Sequence, residues 1–363
     1  MAFMHGCTRP SSQGPPGGAD VRARLERRLN QTWYGKQPPG LLLRLAEQAY
    51  RGAAAMARSL NALRKARDLE GRPIIVVGNL TAGGAGKTPL VIRLCALAAD
   101  CGLRAGVVSR GYGRRGTEPL WVEADSDAAL AGDEPLLIAR RAGVPVRVDA
   151  RRERALRALF ERGLDIAIAD DGLQRTQMPR SLEICVVDAE RGFGNGHLLP
   201  AGPLRESTAR LDGFDFVVEH AAMPGPNAPT GRYQMHLQAG ALRTLDGRLE
   251  LSVETLRATG RALHAVAGIA RPERFFATLE RLGLAATNHA LPDHHRFERS
   301  DFAQFPRDSI IIMTEKDAVK CRHLGLENAW CLPVSAVLEP RLETALAAAL
   351  RAMTAEKEAK PHA

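Results

Sequence analysis

The sequence is poor in aromatic residues, in closely spaced cysteines and in long apolar runs. Phe, Trp and Tyr make up 5% of its 363 residues, which leaves few rings for stacking on nucleic-acid bases. None of the six cysteines stands in a Cys-x-x-Cys pair or a Cys/His cluster with zinc spacing, so the pattern favours a reducing cytoplasm. No run of 18 apolar residues is present, and this excludes a conventional transmembrane helix.

Positive charge is concentrated at one end of the chain. The formal net charge is +9, and residues 1–72, with thirteen Lys or Arg and five Asp or Glu, carry nearly all of it. A nucleic-acid binder more often carries its basic surface on the folded body. We therefore expect no nucleic-acid partner, and the basic segment requires a local explanation.

The basic segment, residues 21–70, is predicted to contain one amphipathic helix over residues 41–66. Its charged and amide side chains share one face, whereas its apolar side chains lie largely on the other: Leu42, Leu45, Ala49, Met56, Leu60 and Leu63. Two interpretations remain open. The apolar stripe packs on the protein body, or the helix lies in a membrane interface, with its basic face toward anionic headgroups and Trp33 and Tyr34 as anchors.

Short β-branched runs then alternate with helical stretches rich in Ala, Leu and Arg. The runs are apolar on both faces, which predicts an α/β fold with a mostly parallel sheet and helices on both sides: residues 73–79, 105–110, 144–148, 165–171, 183–189 and 214–220. A linker follows, and residues 233–239 and 248–253 predict a two-stranded β-ribbon. A smaller C-terminal α/β unit is predicted from a strand at 262–269, a helix at 272–283, a strand at 309–317 and a last helix at 339–355.

These patterns predict six segments. They are a disordered leader without a signal peptide, the basic helical segment, a nucleotide-binding core, a linker with its ribbon, the smaller α/β domain and a charged tail, at residues 1–20, 21–70, 71–225, 226–255, 256–352 and 353–363.

The first apolar strand runs into a phosphate-binding loop. Its residues match G-x-x-x-x-G-K-[ST], except that Thr81 replaces the first glycine: Thr81, Ala82, Gly83, Gly84, Ala85, Gly86, Lys87 and Thr88. Glycines let backbone N–H groups turn toward phosphate oxygens, Lys87 can reach the β- and γ-phosphates, and Thr88 can hold Mg²⁺. The alternative is a glycine-rich turn with an accidental Gly-Lys-Thr. ATP is favoured over GTP because no N/T-K-x-D motif follows a later strand.

Two carboxylates end the apolar strand at 165–171. Asp170 and Asp171 stand where a Walker B acid supports Mg²⁺ beside the phosphate-binding loop. The alternative is a turn or helix-capping acid, because Asp-Gly is a common turn. Together with the loop, the acids predict an NTP site that holds Mg²⁺.

Two more polar residues in predicted loops are candidates for proton transfer. Asp133 could act as base for a substrate hydroxyl, and His294 could orient or share that proton. Taken alone, Asp133 could instead be a helix N-cap, and His294 part of a solvated turn.

The ordered set of motifs identifies the chain as a member of a known family. The segments TAGGAGKTP, SRGYGR, GDEP, ADDGLQ, GNGHLLPAGPLRE, GIARPERFF, PDHH and TEKDAVK, between about residues 30 and 350, resemble the tetraacyldisaccharide 4′-kinases. The resemblance implies phosphorylation by Mg²⁺-ATP of the 4′-hydroxyl of an acylated glucosamine disaccharide 1-phosphate, giving lipid IVA in lipid A biosynthesis. It also implies a peripheral enzyme on the cytoplasmic face of the bacterial inner membrane.

The resemblance further assigns roles to individual residues. Asp133 and His294 would form the catalytic pair, Lys87 and Thr88 would hold ATP and metal, and Asp170 and Asp171 would serve Mg²⁺. Candidates around the phosphates or sugar are Arg110, Tyr112 and Arg205. The chain departs from the family at Arg175, where a His usually follows DDGLQ.

A different class of function remains as an alternative. A P-loop regulatory or chaperone NTPase would hydrolyse nucleotide to switch a protein partner, without a small acceptor. With the lipid kinase we expect an anionic membrane surface as partner and a monomer.

Overall fold

The computed structural model describes residues 28–62, 66–223 and 231–358. The predicted leader at 1–20 lies outside these residues, as do residues 226–230 of the predicted linker and 359–363 of the predicted tail. Two β-sheets with flanking helices make up the described chain.

Fifteen strands are found in the described part of the chain. They are β1 (Ile74–Gly78), β2 (Ala105–Ser109), β3 (Leu120–Val122), β4 (Val146–Val148), β5 (Ile166–Asp170), β6 (Leu182–Asp188), β7 (Phe216–Ala221), β8 (Tyr233–Ala239), β9 (Leu242–Thr244), β10 (Glu250–Leu251), β11 (Leu263–Ala267), β12 (Ala286–Ala290), β13 (Ile310–Thr314), β14 (Ala329–Leu332) and β15 (Val334–Leu338).

The α-helices of the same ranges begin with α1 over residues 28–34. The others are α2 (Leu41–Ala62), α3 (Lys87–Asp100), α4 (Ala128–Ala131), α5 (Asp133–Ala142), α6 (Arg152–Glu161), α7 (Val253–Ala258), α8 (Pro272–Arg281), α9 (Arg299–Phe302), α10 (Glu315–Cys321) and α11 (Pro340–Glu358).

The large sheet confirms the predicted α/β fold. Its order is β15-β8-β7-β6-β1-β5-β2-β4-β3, and neighbours are parallel except for β3 and β15 at its two edges. One face is covered by α3, α5 and α11, and the other by α6. All five residues of β1 and of β5 are buried, as two covered faces require. Because parallel strands end at one edge, the loop after β1 and the acids of β5 meet there.

A two-stranded ribbon connects the sheets, but its strands are not the predicted pair. The predicted strand 233–239 pairs antiparallel with β15, and the predicted 248–253 contributes only β10, which pairs with β9. The reason is that the chain crosses between the sheets twice, from β8 to β9 and from β14 to β15. These crossings lie side by side, since β9 also pairs with β14.

The smaller sheet has the order β10-β9-β14-β13-β11-β12. The predicted smaller domain, residues 256–352, includes most of α11, but this helix packs on the large sheet. Its residues Leu342, Leu346 and Leu350 are fully buried there. Their spacing of four residues places them on one helix face. The helix then continues to Glu358, into the predicted tail.

The predicted strand at 309–317 extends three residues beyond the end of β13. Thr314, the last residue of β13, accepts a hydrogen bond from the backbone N–H of Asp317, so residues 315–317 already form the first turn of α10.

The amphipathic helix α2 docks through polar groups and exposes its apolar side chains. Glu47 is 3% exposed and accepts hydrogen bonds from the backbone N–H of Leu198 (3.0 Å) and contacts His197 Nδ1 (2.8 Å). The large apolar side chains are 51–83% exposed: Leu41, Leu42, Leu45, Met56 and Leu60. The interpretation that the apolar stripe packs on the protein body is therefore wrong.

The two aromatic residues before α2 contact the protein body. Trp33 donates from Nε1 to the carbonyl oxygen of Pro200 at 2.9 Å, and the ring of Tyr34 lies under the guanidinium of Arg191. Both rings are half-buried and contact the protein body, and their use as interfacial anchors stays a prediction. Within the described ranges, none of the helices is both long and apolar enough for a membrane crossing.

Candidate active site

The predicted phosphate-binding loop joins β1 to α3, and a buried amide holds its shape. Asn79 donates from Nδ2 to the carbonyl oxygens of Thr81 (2.7 Å) and Gly83 (3.3 Å). Gly83 and Gly86 have φ values of 110° and 91°, which strain any side chain. The loop conformation thus depends on its glycines and on Asn79, which sequence reasoning missed although it is a polar residue ending an apolar strand.

Lys87 begins α3 and points at the acids of β5. Its Nζ donates to Asn79 Oδ1 at 3.0 Å and forms an ion pair with Asp171 at 3.1 Å. Thr88 follows in the first helical turn and is half-buried. The loop and one acid of the predicted metal pair are therefore in direct contact.

The two acids have different surroundings. Asp170 is 2% exposed, and its Oδ1 has no hydrogen-bond partner among the described residues. Burial, with Glu134 nearby, raises the pKa of Asp170 to about 7. Although burial opposes ionisation of Asp171, the charges of Lys87 and Arg205 lower its pKa to about 2.

Arg205 reaches the same acid from the loop at 195–206. Its Nη1 donates to both carboxylate oxygens of Asp171, at 3.1 and 3.0 Å. The backbone of Arg205 is also held, because its carbonyl oxygen accepts the hydroxyl of Tyr50 from α2 at 3.0 Å. Helix α2 therefore contacts the backbone of Arg205, a predicted substrate residue.

Asp133 and His294 are in contact, although α5 packs on the large sheet and His294 follows β12 of the smaller sheet. His294 Nδ1 lies 3.1 Å from Asp133 Oδ2, and both side chains are mostly buried. Gly132 occupies the N-cap of α5 and Asp133 its first position, so Asp133 is not the helix cap. In the described chain only Asp171 and His294 are non-glycine residues with positive φ, at 52° and 59°. Such backbone strain concentrates at functional sites.

Helix α10 adds two lysines that sequence reasoning did not assign to the site. Lys316 Nζ contacts Glu134 Oε1 at 3.1 Å, and Lys320 Nζ lies 3.8 Å from Asp133 Oδ2. Burial opposes ionisation of Glu134, but the charges of Lys316 and Lys87 outweigh it and lower its pKa. The available signal was the i, i+4 spacing of the lysines in TEKDAVK, which places both on one helix face.

One further predicted substrate residue, Tyr112, borders this pair. Tyr112 is 61% exposed, and its ring centroid lies 5.3 Å from that of His294. Arg110 is exposed in the same loop after β2. Arg175 follows the acids in a turn where its backbone N–H donates to the carbonyl oxygen of Gly172 at 2.9 Å.

The geometry fits a nucleoside triphosphate with a divalent cation. A Cβ added at Gly83 or Gly84 would meet nothing within 4 Å, so phosphates can approach the loop backbone. The unpartnered oxygen of Asp170 and the hydroxyl of Thr88 are the hard donors that Mg²⁺ prefers. No cluster of three or more His, Cys, Asp or Glu is found in the part of the chain that the structure describes.

Comparison with known proteins gives one consistent result. The profile of tetraacyldisaccharide-1-P 4′-kinases (LpxK) matches residues 40–351. The chain is 47% identical over 318 residues to a tetraacyldisaccharide 4′-kinase of Xanthomonas axonopodis pv. citri, covering 84% of this chain and 91% of that one. It is 43% identical over 326 residues to one of Xylella fastidiosa, covering 88% and 95%.

A solved structure is similar as well. It is the "apo" form of LpxK from Aquifex aeolicus in complex with ATP, with a TM-score of 0.67 and 27% sequence identity, covering 85% of this chain and 99% of that one.

Proposed function

The chain belongs to the tetraacyldisaccharide-1-P 4′-kinase family, and we propose that Asp133 and His294 are the catalytic pair of this member. It is accordingly an ATP-dependent kinase of lipid A biosynthesis. The observation that carries the assignment is the 3.1 Å contact between Asp133 Oδ2 and His294 Nδ1, beside the ion pair of Lys87 with Asp171.

Asp133 acts as the general base in this proposal. The 4′-oxygen of the acceptor sugar bonds to the γ-phosphorus while the bond from phosphorus to the β-γ bridging oxygen breaks. The hydroxyl proton passes to the carboxylate of Asp133. His294 holds that carboxylate in place and is itself fixed by a hydrogen bond from its backbone N–H to the carbonyl oxygen of Gly268 (3.2 Å).

The loop from Thr81 to Thr88 holds the ATP phosphates. Its N–H groups and Lys87 offset the negative charge that spreads over the transferring phosphoryl group. Lys87 already points into the site, because Asn79 and Asp171 fix its ammonium group. On ATP binding, the same ammonium would exchange part of this pairing for phosphate oxygens.

Mg²⁺ would be held by Asp170 and the hydroxyl of Thr88, with Asp171 ordering its waters. When bound, the ion would offset the negative charge of the ATP phosphates. Asp170 suits this role because its buried oxygen lacks a partner. Asp171 is already neutralised by Lys87 and Arg205, so it fits the outer position better.

The acceptor sugar would enter beside His294. Tyr112 offers an exposed ring next to that imidazole, and Arg110 lies two residues before it. Arg205, which donates to Asp171, would meet a phosphate of either substrate. These three side chains are the proposed contacts to an acylated disaccharide 1-phosphate.

Helix α2 would place the enzyme on an anionic membrane surface at the cytoplasmic face of the inner membrane. Its leucines are exposed, while Glu47 and Tyr50 attach it to the loop that carries Arg205. Exposed arginines at positions 44, 51 and 58 add attraction to anionic headgroups. A lipid acceptor would thus be presented close to the transfer site.

The test is the Asp133→Asn variant in a phosphoryl-transfer assay. Removing a general base should lower kcat by about 10²- to 10⁴-fold, while the Kd of a non-hydrolysable ATP analogue stays within about threefold. Asp212→Asn, at an exposed position, is the matched control and should keep full activity. A near-normal kcat in Asp133→Asn would rule out Asp133 as the general base. The alternative of a regulatory NTPase is not favoured by the family or by its relatives.

A further inference from the structure

His220 lies beside the phosphate-binding loop and has no part in the transfer mechanism above. It stands near the end of β7, opposite Asp188 of β6, and is 6% exposed. Burial and the nearby charge of Arg274 lower its pKa to about 4. The imidazole is therefore neutral at physiological pH and carries a single N–H.

The ring contacts the phosphate-binding loop at Ala85, the residue before Gly86. His220 Nδ1 lies 3.1 Å from the carbonyl oxygen of Ala85. A carbonyl only accepts, so Nδ1 must carry the proton and donate it. The ring also closes off Gly86, where an added Cβ would lie 2.5 Å from Nδ1.

This hydrogen bond fixes the direction of one peptide plane. In a trans peptide the C=O and the following N–H point in opposite directions. With the carbonyl of Ala85 held toward His220, the N–H of Gly86 must point away from the ring. If the peptide turned over, a carbonyl oxygen would replace an N–H on the side from which phosphate is bound, and like partial charges would repel.

Helix α8 of the smaller sheet brings Arg274 against the same ring nitrogen. Arg274 Nη1 lies 3.4 Å from His220 Nδ1, and because both nitrogens are donors here, this is a packing contact and not a hydrogen bond. The same guanidinium pairs with Asp188 (2.6 Å) and Glu190 (3.0 Å). Arg271 also pairs with Asp188, at 2.5 Å. Four charged side chains therefore seat the start of α8 next to His220.

We propose that His220 is a positioning residue for ATP, which aims the Ala85–Gly86 peptide and couples nucleotide affinity to the seating of α8 through Arg274. The inference rests on the proposed role of the loop as the phosphate site. It adds a residue outside the loop motif and a link between the two sheets that the motif does not contain.

The experiment measures the Kd of a non-hydrolysable ATP analogue with Mg²⁺ for the full chain by calorimetry. His220→Leu keeps the size but loses the donor, and it should raise the Kd about five- to tenfold, the worth of one hydrogen bond. His220→Asn places an amide N–H near the position of Nδ1 and should stay within about twofold. The KM for the lipid should not change in either variant.

Two outcomes would overturn the role of His220. One is wild-type affinity in His220→Leu, and the other is an equal loss in His220→Asn and His220→Leu. Thermal unfolding of both variants shows whether the fold is kept, and a similar Tm for the two makes the Asn rescue decisive.

The coupling is tested with Arg274→Gln, alone and combined with His220→Leu. Arg274→Gln should raise the Kd severalfold in the wild type and add little in the His220→Leu background. Arg307→Gln, at an exposed position in the loop before β13, is the matched control. Effects on the Kd that multiply independently would contradict the coupling.

The Lys87→Ala variant separates the two proposals. If it binds the analogue normally, the proposed phosphate site itself is wrong. His220 variants that leave the Kd unchanged overturn only this inference.

Discussion

The exposed leucines of α2 allow a quantitative test of membrane attachment. Leu42 and Leu45 are 83% and 60% exposed. Moving a whole leucine side chain out of water contributes about 1.5–3 kcal/mol, so the exposed parts of these two could contribute about 2–4 kcal/mol on entering a bilayer interface. Because each 1.4 kcal/mol is tenfold, Leu42→Gln with Leu45→Gln should weaken vesicle binding roughly 30- to 1,000-fold.

The assay is flotation with vesicles of zwitterionic lipid containing an anionic fraction. Gln is chosen because it forms helix about as well as Leu. Ala46→Gln with Ala57→Gln adds the same polar groups at exposed positions of the same helix and should bind within about twofold of wild type. Binding should also weaken with added salt, which screens the arginines. A leucine double variant that floats like the control would refute the proposal that α2 holds the membrane through its apolar face.

Two further predictions concern the site and its support. Lys87→Ala should lower both ATP-analogue affinity and kcat by at least about tenfold, since one ammonium serves binding and charge stabilisation; Lys36→Ala, at an exposed position, should change neither. Glu47→Gln should lower the free energy of unfolding by about 1–2 kcal/mol, because a buried, hydrogen-bonded charge is lost. Burial opposes ionisation of Glu47, but hydrogen bonds from Leu198 and His197 outweigh it and lower its pKa from 4.5. The Tm gap to wild type should therefore be full above pH 4.5 and close as the pH falls through the folded pKa; a gap independent of pH would contradict this.

The sequence was sufficient where the chemistry is local. The loop from Thr81 to Thr88 and the acids Asp170 and Asp171 each follow an apolar strand within a few residues. Parallel pairing of β1 with β5 brings their ends together without further information. The apolar runs also predicted most strands of the large sheet to within a few residues.

Contacts between distant segments could not be predicted in the same way. Helical periodicity divides α2 into two faces but does not say which one is inward. That is decided by Glu47, whose partner Leu198 lies about 150 residues away. Likewise, β8 pairs with β15 rather than with its neighbour in sequence, since both chain crossings lie side by side.

The pairing of Asp133 with His294 is the non-local contact that matters most for function. Each residue alone had an ordinary structural explanation, and their pairing rested on the suitability of Asp and His for general-base work and on the family resemblance. In the structure the small sheet carries His294, Lys316 and Lys320 to the start of α5. Docking of the two sheets therefore assembles the proposed catalytic pair.

The most direct test of the account follows the γ-phosphate of ATP. Wild-type enzyme in detergent, given γ-labelled ATP, Mg²⁺ and an acylated disaccharide 1-phosphate with a free 4′-hydroxyl, should move the label onto the lipid, while Asp133→Asn should leave it on ATP. Release of the label as inorganic phosphate, at the same rate with and without the lipid, would contradict the central claim.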